Sequence, residues 1–279
     1  MNYRHAFHAG NHADLLKHMS LLLCLERLKQ KPAPFAALDT HAGLGLYDLQ
    51  SEEAERSPEW RGGIARLWQA DNPPAPALLL RDAVAAFNPD GALRFYPGSP
   101  ALIAQNLREH DRLDACELHP SDSETLKRRF AKDKRVRTHA RDGWEALGAL
   151  LPFPERRGLI LIDPPYEEHD ELTRAARALG PALRRFGHGV FLWWRPFKSE
   201  SALNAADAEA RAQGAAKTLR ADLWVDAPAP SGRLSGSSML IINPPFGVAD
   251  ALREGLSWLA PLLAAGAAGW RVEQQDGPG

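Results

Sequence analysis

The residues with the clearest chemical potential are Asp163-Pro164-Pro165-Tyr166, which follow a strongly apolar segment. Residues 158–162 read Gly-Leu-Ile-Leu-Ile, which is typical of a strand buried on both faces of a sheet. The Asp163 carboxylate and the Pro164 carbonyl offer two acceptors, and the second proline has no N–H to compete for that carbonyl. Two such acceptors can bind the two N–H groups of an exocyclic amine on a nucleobase, while the Tyr166 ring stacks on the base. We therefore expect Asp163, Pro164 and Tyr166 to be catalytic; a plain rigid turn after a buried strand is the structural alternative.

Glycines and acidic residues follow three other predicted strands. The strand at 35–38 ends in a turn containing Gly43, where a ligand can approach the backbone closely. Glu117 ends the next strand, where a carboxylate can bind the hydroxyls of a ribose. Asp142-Gly143 follow the third, where the Asp can accept from an adenine amine or cap the next helix. Each feature alone also fits an ordinary turn, a solvated Glu or a helix cap. Because parallel strands send their carboxyl ends to one edge, together they predict a nucleotide site.

Strands and helices alternate along most of the chain, which predicts an open parallel α/β sheet with helices on both faces. The strands are expected at residues 35–38, 113–117, 135–139, 158–162, 190–194, 218–225 and 239–242. The last two have no helix between them and should pair antiparallel. By analogy of fold alone, this pattern favours a Rossmann-like class I methyltransferase that uses S-adenosylmethionine. We expect a mostly parallel seven-stranded sheet with an antiparallel last strand.

Helix signals and joints rich in proline and glycine divide the chain into three parts. Asn11 is expected to cap a first helix, so residues 1–45 would form an N-terminal segment with the first helix and the first strand. Residues 46–96 lack the alternation, and their amphipathic helices predict an inserted helical subdomain. Residues 97–279 would complete the methyltransferase domain.

Other polar residues are assigned structural roles. Ser99 stands before a proline and is expected to be a helix N-cap, and residues 121–124 have the form of a capping box. Asn243-Pro244-Pro245-Phe246 repeats the form of the catalytic motif. Because its strand is predicted to be antiparallel, its end should lie at the opposite rim of the sheet. We expect Asn243 to bond its own backbone in a turn.

The composition excludes several classes of protein. The chain has 279 residues, 34 Lys and Arg, 35 Asp and Glu, and a formal net charge of −1. That balance is ordinary for a globular protein and argues against binding to nucleic acid by bulk charge. Two cysteines exclude a disulfide scaffold and a four-cysteine zinc site, and they suit a reducing compartment, the cytoplasm. Residues 1–18 are too polar for a signal peptide, and no apolar stretch is long enough to span a bilayer.

Further segments carry a specific resemblance to a known family. They are Tyr3-Arg4-His5-Ala6-Phe7-His8-Ala9-Gly10-Asn11-His12-Ala13-Asp14, Lys17-His18, Leu38-Asp39-Thr40-His41-Ala42-Gly43, Tyr96-Pro97-Gly98-Ser99-Pro100, Glu117-Leu118-His119-Pro120 and residues 158–166. Over essentially its whole length the chain resembles the bacterial 23S ribosomal RNA adenine-N6 methyltransferases of the J type. The resemblance implies methyl transfer from S-adenosylmethionine to the N6 amine of a specific adenine in 23S ribosomal RNA.

The same resemblance implies roles for individual residues. The expected contacts to S-adenosylmethionine are His18, His41, Ser99, Glu117, Asp142, Gly143 and Asp163. Asp163 would also accept the amine proton. The expected contacts to RNA are Tyr3, Arg4 and Lys17.

Other interpretations stay open from the sequence. A methyltransferase of DNA adenine or of a protein glutamine amide usually carries Asn-Pro-Pro-Tyr, whereas this motif begins with Asp163. A noncatalytic RNA-binding protein on the same scaffold would show a degraded motif. The spacing of three and four residues among His5, His8, His12 and His18 could suit zinc on a helix. No cysteine or carboxylate cluster completes the set, so we expect no metal.

Overall fold

An eight-stranded sheet lies at the centre of the chain. The structure is a computed structural model that describes residues 5–166, 171–227 and 234–276. Its strands are β1 (Ala36–Asp39), β2 (Leu46–Asp48), β3 (Phe95–Pro97), β4 (Arg112–Cys116), β5 (Val136–His139), β6 (Gly158–Ile162), β7 (Val190–Pro196), β8 (Lys217–Trp224), β9 (Gly236–Ile242) and β10 (Gly269–Asp276). The order in the large sheet is β10-β8-β9-β7-β6-β1-β4-β5, and β2 pairs with β3 in a separate sheet.

Helices cover both faces of the large sheet. They are α1 (His12–Lys29), α2 (Glu52–Arg56), α3 (Ile64–Gln69), α4 (Ala75–Ala85), α5 (Ser99–Asn106), α6 (Pro120–Phe130), α7 (Gly143–Leu150), α8 (Glu171–Arg185), α9 (Glu200–Ala212) and α10 (Val248–Leu263). The core with α1, α5 and α10 lies on one face, and the core with α7, α8 and α9 lies on the other. In β6, Leu159 and Leu161 enter the first core, whereas Ile160 and Ile162 enter the second. Successive strand side chains point to opposite faces, so the predicted burial of residues 158–162 on both faces is confirmed.

The strand directions confirm the predicted mostly parallel sheet. β1, β4, β5, β6 and β7 run parallel, and β9 is antiparallel to both β7 and β8. The predicted number of seven strands was wrong, because β10 pairs antiparallel with β8 and covers its edge. In β10, Trp270 and Val272 alternate with the charged Arg271 and Glu273. This half-polar pattern gives a weak strand signal next to the apolar runs of the inner strands.

Of the caps predicted for α1, α5 and α6, the first is confirmed and the other two were wrong. Asn11 caps α1, with its side-chain oxygen accepting from two backbone N–H groups of the first turn. Ser99, however, is the first residue of α5, and Gly98 is the N-cap. Helix α6 begins at Pro120 without a side-chain cap bond, so no capping box forms at 121–124. Proline fits the first turn of a helix because its missing N–H would have no partner there. The Ser99 hydroxyl is therefore not used as a cap.

The insertion between β1 and α5 is mostly helical, as predicted. It opens with β2 and closes with β3, which pair antiparallel, and α2, α3 and α4 lie between them. Its buried apolar side chains belong to the same core as α1 and α10; they include Tyr47, Leu49, Ile64, Leu67, Leu80, Val84 and Tyr96. Because the insertion shares that core, the domain limits at 1–45, 46–96 and 97–279 stay a prediction.

The strand order reverses direction at β1, and this reversal indicates where a ligand can bind. From β1 the chain passes through the insertion to β4 on one side, whereas β6 lies on the other side of β1. In open α/β sheets the ligand crevice forms outside the carboxyl ends of the strands at such a point. The ends of β1, β4, β5 and β6 are thus the expected location of the site. None of the described helices is long and apolar enough to cross a membrane.

Candidate active site

A first cavity lies at these carboxyl ends and brings together all seven residues implied as cofactor contacts. They are His18, His41, Ser99, Glu117, Asp142, Gly143 and Asp163. Helices α1 and α5 supply His18 and Ser99, and the other five follow β1, β4, β5 and β6. The parallel sheet therefore gathers residues that lie far apart in the sequence.

Two glycines allow the backbone segments at one side of the first cavity to pack closely together. Gly43 adopts a φ of +60°, in the left-handed region that favours glycine. A Cβ on Gly143 would clash with the Thr40 carbonyl oxygen and lie 2.7 Å from His41 Cε1. The start of α7 therefore packs directly on the turn after β1, and only glycine fits at 143.

Glu117 is held rigidly at the end of β4. One carboxylate oxygen accepts from the Gly43 N–H at 2.8 Å, and the other accepts from the His119 N–H at 2.8 Å. Burial is the largest influence on its pKa, which is raised above its usual value. Each oxygen keeps a second lone pair, so the fixed carboxylate can still accept hydrogen bonds from vicinal hydroxyls.

Asp142 caps α7, which was one of its two predicted roles. Its Oδ1 accepts from the backbone N–H groups of Trp144 and Glu145 at 2.9 and 3.1 Å. The cap uses only this oxygen, so Oδ2 remains able to accept from a ligand. The cap and the ligand role are therefore compatible in one side chain.

His18 and His41, two of the histidines that line the first cavity, are held neutral. Burial is the main cause that lowers the pKa of His18 to about 3 and the pKa of His41 to about 4. Nδ1 of His18 lies 2.8 Å from the Tyr96 hydroxyl oxygen, whereas its Nε2 has no hydrogen-bond partner among the described residues. Nδ1 of His41 lies 2.7 Å from the Thr40 hydroxyl. Both rings can thus present their second nitrogen to a polar ligand without adding charge.

Asp39 is a candidate that sequence reasoning missed as a functional residue. It ends β1, is fully buried, and neither of its oxygens has a hydrogen-bond partner among the described residues. Burial is the main cause that raises the pKa of Asp39 to about 7, and nearby Ser99 and Lys17 oppose the shift. A buried carboxylate without a partner is unfavourable, and such groups concentrate at functional sites. The available signal was its place at the end of the first strand.

A chain of charged groups holds Asp163 in place. Lys17 Nζ lies 2.5 Å from Asp163 Oδ2 and 2.8 Å from Asp14 Oδ1. Asp14 also accepts from the Gly10 N–H at 2.8 Å and lies 3.0 Å from His5 Nε2. The two carboxylates raise the pKa of Lys17 despite its burial. Despite the burial of Asp14, the neighbouring His5, Lys17 and His18 hold its pKa well below its usual value. Asp14 was also missed, although its spacing of three residues from Lys17 places both on one helix face.

A second cavity adjoins the first, and Asp163 lines both. Pro164, Tyr166 and Trp194 line the second cavity but not the first. The Tyr166 hydroxyl donates to the Trp194 carbonyl and accepts from Trp193 Nε1, both at 2.7 Å. The rings of Tyr166 and Trp194 lie 5.7 Å apart between centroids, tilted by 50°. Two oriented aromatic rings therefore stand beside the Asp163 carboxylate.

The predicted RNA contacts divide into two groups. Tyr3 and Arg4 lie outside the described residues. Lys17 lines both cavities, but its ammonium is nearly buried between two carboxylates, so a phosphate would have to compete with them. Among the described residues no group of three His, Cys, Asp or Glu side chains is placed to hold a metal ion. His5 and His8 instead lie close to carboxylates of α1 and of the insertion.

Comparison with known proteins identifies the family. The family model described as ribosomal RNA large subunit methyltransferase D, RlmJ, matches residues 32–275, which include all the large-sheet strands up to β9 and most of β10. The chain belongs to this family. It is 43% identical over 267 residues to ribosomal RNA large subunit methyltransferase J of Escherichia coli strain K12, covering 95% of each protein. It is 38% identical over 275 residues to the RlmJ-family protein of that name from Haemophilus influenzae, covering 98% of each.

One solved structure has the same architecture over nearly the whole chain. It is the crystal structure of a protein from Legionella pneumophila, with a TM-score of 0.88 and 32% sequence identity. The similarity covers 96% of this chain and 98% of that protein. The RlmJ-family fold described above is therefore also seen in a crystal.

Proposed function

We propose that this RlmJ-family protein transfers a methyl group from S-adenosylmethionine to the N6 amine of an adenine in 23S ribosomal RNA. The two relatives above are named as ribosomal RNA large subunit methyltransferases. The observation that carries the proposal is the position of Asp163 in the wall of both cavities. A carboxylate at that junction can contact the methyl donor on one side and the amine on the other. Since the substrate is ribosomal RNA, we assign the activity to the cytoplasm.

The first cavity fits S-adenosylmethionine, which supplies an electrophilic methyl group when bound. Glu117 has lone pairs left for the ribose hydroxyls, and Asp142 Oδ2 is available to the adenine amine. The unpartnered Nε2 of His18 can donate to the methionine carboxylate. The unpartnered, buried carboxylate of Asp39, beside Ser99, suits the methionine ammonium. The donors and acceptors that the protein leaves unused thus match the polar groups of this cofactor, and the proposal needs no metal ion.

The second cavity fits the target adenine. The amine of adenine is a poor nucleophile because its lone pair is delocalised into the ring. Asp163 Oδ1 and the Pro164 carbonyl would accept its two N–H groups and localise that lone pair. Lys17 binds the other oxygen of Asp163 and so fixes the direction of the free one. The ring of Tyr166, oriented by its two hydrogen bonds, would stack on the base.

Positioning would supply most of the rate enhancement, because two bound substrates react in line. We propose that the insertion contributes by fixing the N-terminal segment above the second cavity. The Ile64 N–H donates to the Gly10 carbonyl at 2.8 Å, and the Asn11 side chain donates to Glu59 at 2.9 Å. Tyr3 and Arg4 directly precede His5, which lines both cavities. They remain our proposed RNA contacts, together with Lys17.

Methyl transfer to a 23S ribosomal RNA transcript tests the proposal. Wild-type protein, RNA and labelled S-adenosylmethionine should yield N6-methyladenine after nuclease digestion. Asp163→Ala should lower turnover by at least a hundred-fold, since positioned proton acceptors contribute about 10²–10⁴-fold. Asp163→Asn should keep partial activity because its amide oxygen still accepts one N–H.

A matched control is Asp250→Ala, which removes a highly exposed carboxylate of α10 away from both cavities. It should leave turnover unchanged. Methylation at wild-type rate by Asp163→Ala would refute the assignment of the reacting centre. Label on DNA or on a glutamine amide, with none on RNA, would instead favour the alternative substrates.

A further inference from the structure

A third cavity lies at the rim of the sheet opposite the candidate active site. It is lined by Asn243, Pro245 and Phe246 after β9, by Gly158 at the start of β6, and by residues from the end of α1. Because β9 is antiparallel to β7, the second Pro-Pro motif ends at this rim. The proposed methyl-transfer reaction uses none of these residues.

Phe246 is unusually exposed for an aromatic residue. Its relative exposure is 94%, compared with 36% for Trp270 and 47% for Leu118, the other large exposed hydrophobic residues of the described chain. Asn243 fixes the motif to the loop before β7, because its side-chain amide donates to the Gly187 and Gly189 carbonyls at 2.9 and 2.8 Å. The ring is thus presented to solvent on a fixed turn.

Three cationic residues share this cavity with Phe246. Arg27, Lys31 and Arg157 line the same cavity, and none of its described lining residues carries a carboxylate. Arg27 and Lys31 make no ion pair with a described residue, and a Cβ on Gly247 would lie 2.5 Å from Arg27 Nη2. The guanidinium therefore stands directly beside the turn that carries Phe246. This local positive charge contrasts with the net charge of −1 for the whole chain.

We propose that this surface, formed by Arg27, Lys31, Arg157 and Phe246, is a second RNA-binding site. An exposed aromatic ring stacks on an unpaired base, and neighbouring Arg and Lys side chains bind the adjoining phosphates. A protein partner would be favoured by a wider apolar patch, whereas here one ring is bordered by unpaired cations. The charge complementarity therefore selects RNA as the occupant.

The two sites are close enough for one folded RNA to contact both. Strand β6 begins at Gly158 in the third cavity and ends just before Asp163, a distance of about 17 Å at 3.3 Å per residue. Helix α1 spans the same distance, since Lys17 and Arg27 are ten residues apart, or about 15 Å. The inference rests on the proposed function, because it assigns the surface to the same RNA substrate. It predicts that a long ribosomal RNA binds more tightly than a short strand carrying the target adenine.

Binding of a 23S ribosomal RNA transcript to Phe246→Ala, Phe246→Trp and Lys31→Gln tests the inference. Loss of a stacked base should weaken affinity between about five-fold and about a hundred-fold in Phe246→Ala, and Phe246→Trp should restore it. Lys31→Gln should reduce the slope of log affinity against log salt by about 1. Trp270→Ala, the matched control on β10, should keep wild-type affinity. Melting temperature and cofactor affinity identify any misfolded variant.

Each outcome bears on one proposal. If wild-type protein methylates the transcript and Phe246→Ala binds it as tightly as wild type, this surface is not an RNA site, whatever else binds there. If the wild-type protein neither binds nor methylates the transcript, the proposed function itself fails. If Phe246→Ala and Trp270→Ala weaken RNA affinity equally, the inference is also overturned, because the RNA would then show no preference for the surface that carries Phe246.

Discussion

The hydroxyl of Tyr166 allows a quantitative test of how the second cavity is built. It accepts a hydrogen bond from Nε1 of Trp193, whose side chain is fully buried, and donates one to the Trp194 carbonyl. Tyr166→Phe removes both bonds and leaves the Trp193 N–H unpaired inside the protein. An unsatisfied buried donor costs about 1–3 kcal/mol. We therefore expect the free energy of unfolding to fall by about 2 kcal/mol and the melting temperature to fall by roughly 4 °C.

The activity of the same variant separates the ring from the hydroxyl. Tyr166→Phe keeps the ring, so methyl transfer per folded molecule should fall less than about ten-fold, whereas Tyr166→Ala also loses base stacking, which is worth about 1–3 kcal/mol. Urea unfolding followed by tryptophan fluorescence gives the stability, and label transfer normalised to folded protein gives the activity. Unchanged stability in Tyr166→Phe would refute the hydrogen-bond argument. Equal loss of activity in both variants would show that the hydroxyl, and not the ring, acts on the substrate.

Two further changes test groups whose roles depend on burial. The pKa of Asp39 is raised from 3.8 to about 7 in the folded protein, so folding binds a proton that the unfolded chain releases, and this contribution to stability is lost as pH rises from about 4 to about 7. Without cofactor, the free energy of unfolding of Asp39→Asn should therefore rise relative to that of the wild type by up to about 4 kcal/mol as the pH rises between those values. Urea titrations that show the same difference at every pH would contradict this. Asn243→Ala should lower the free energy of unfolding by about 2 kcal/mol, because it loses two hydrogen bonds and places alanine at a φ of +55°. Asn243→Gly should be less damaging, and calorimetry should show unchanged cofactor affinity in both variants.

Strong local signals explain which parts of the fold were predictable. The bounds of β6 agree with those expected from the sequence, and α7 begins directly after Asp142, one of whose expected roles was to cap it. β6 is an uninterrupted apolar run, and α7 begins after the capping Asp142, so each is determined by residues within a few positions. The half-polar β10 and the starts of α5 and α6 were mistaken because their signals depend on neighbours in space or on competing caps.

Site residues could be predicted from the sequence where their position depends on a strand end, but not where it depends on a partner far away in the chain. All seven expected cofactor contacts line one cavity. The rule that parallel strands share a carboxyl edge explains why the five that follow β1, β4, β5 and β6 meet there. His18 and Ser99 lie on α1 and α5, and only the family resemblance implied them. The pairing of Lys17 with Asp163 joins residues 146 positions apart, and no local pattern reveals it. The burial of Asp39 likewise depends on packing around the strand end. Its place at the end of β1 was the only sequence signal, and the missing hydrogen-bond partners make it a candidate only once the structure is seen.

The two Pro-Pro motifs show why topology has to be added to sequence pattern. Asp163 and Asn243 each follow an apolar strand and precede two prolines and an aromatic residue. β6 is parallel to β1, so Asp163 lies at the first cavity. β9 is antiparallel to β7, so Asn243 lies at the other rim, as expected. The prediction that the Asn243 side chain bonds its own backbone was wrong. The amide instead donates to carbonyls of the loop before β7. The same local motif thus orients an aromatic ring at both ends of the sheet. At one end the ring lies beside the Asp163 carboxylate, which suits chemistry on a base. At the other end the ring shares a cavity with Arg27, Lys31 and Arg157, which suits binding without chemistry.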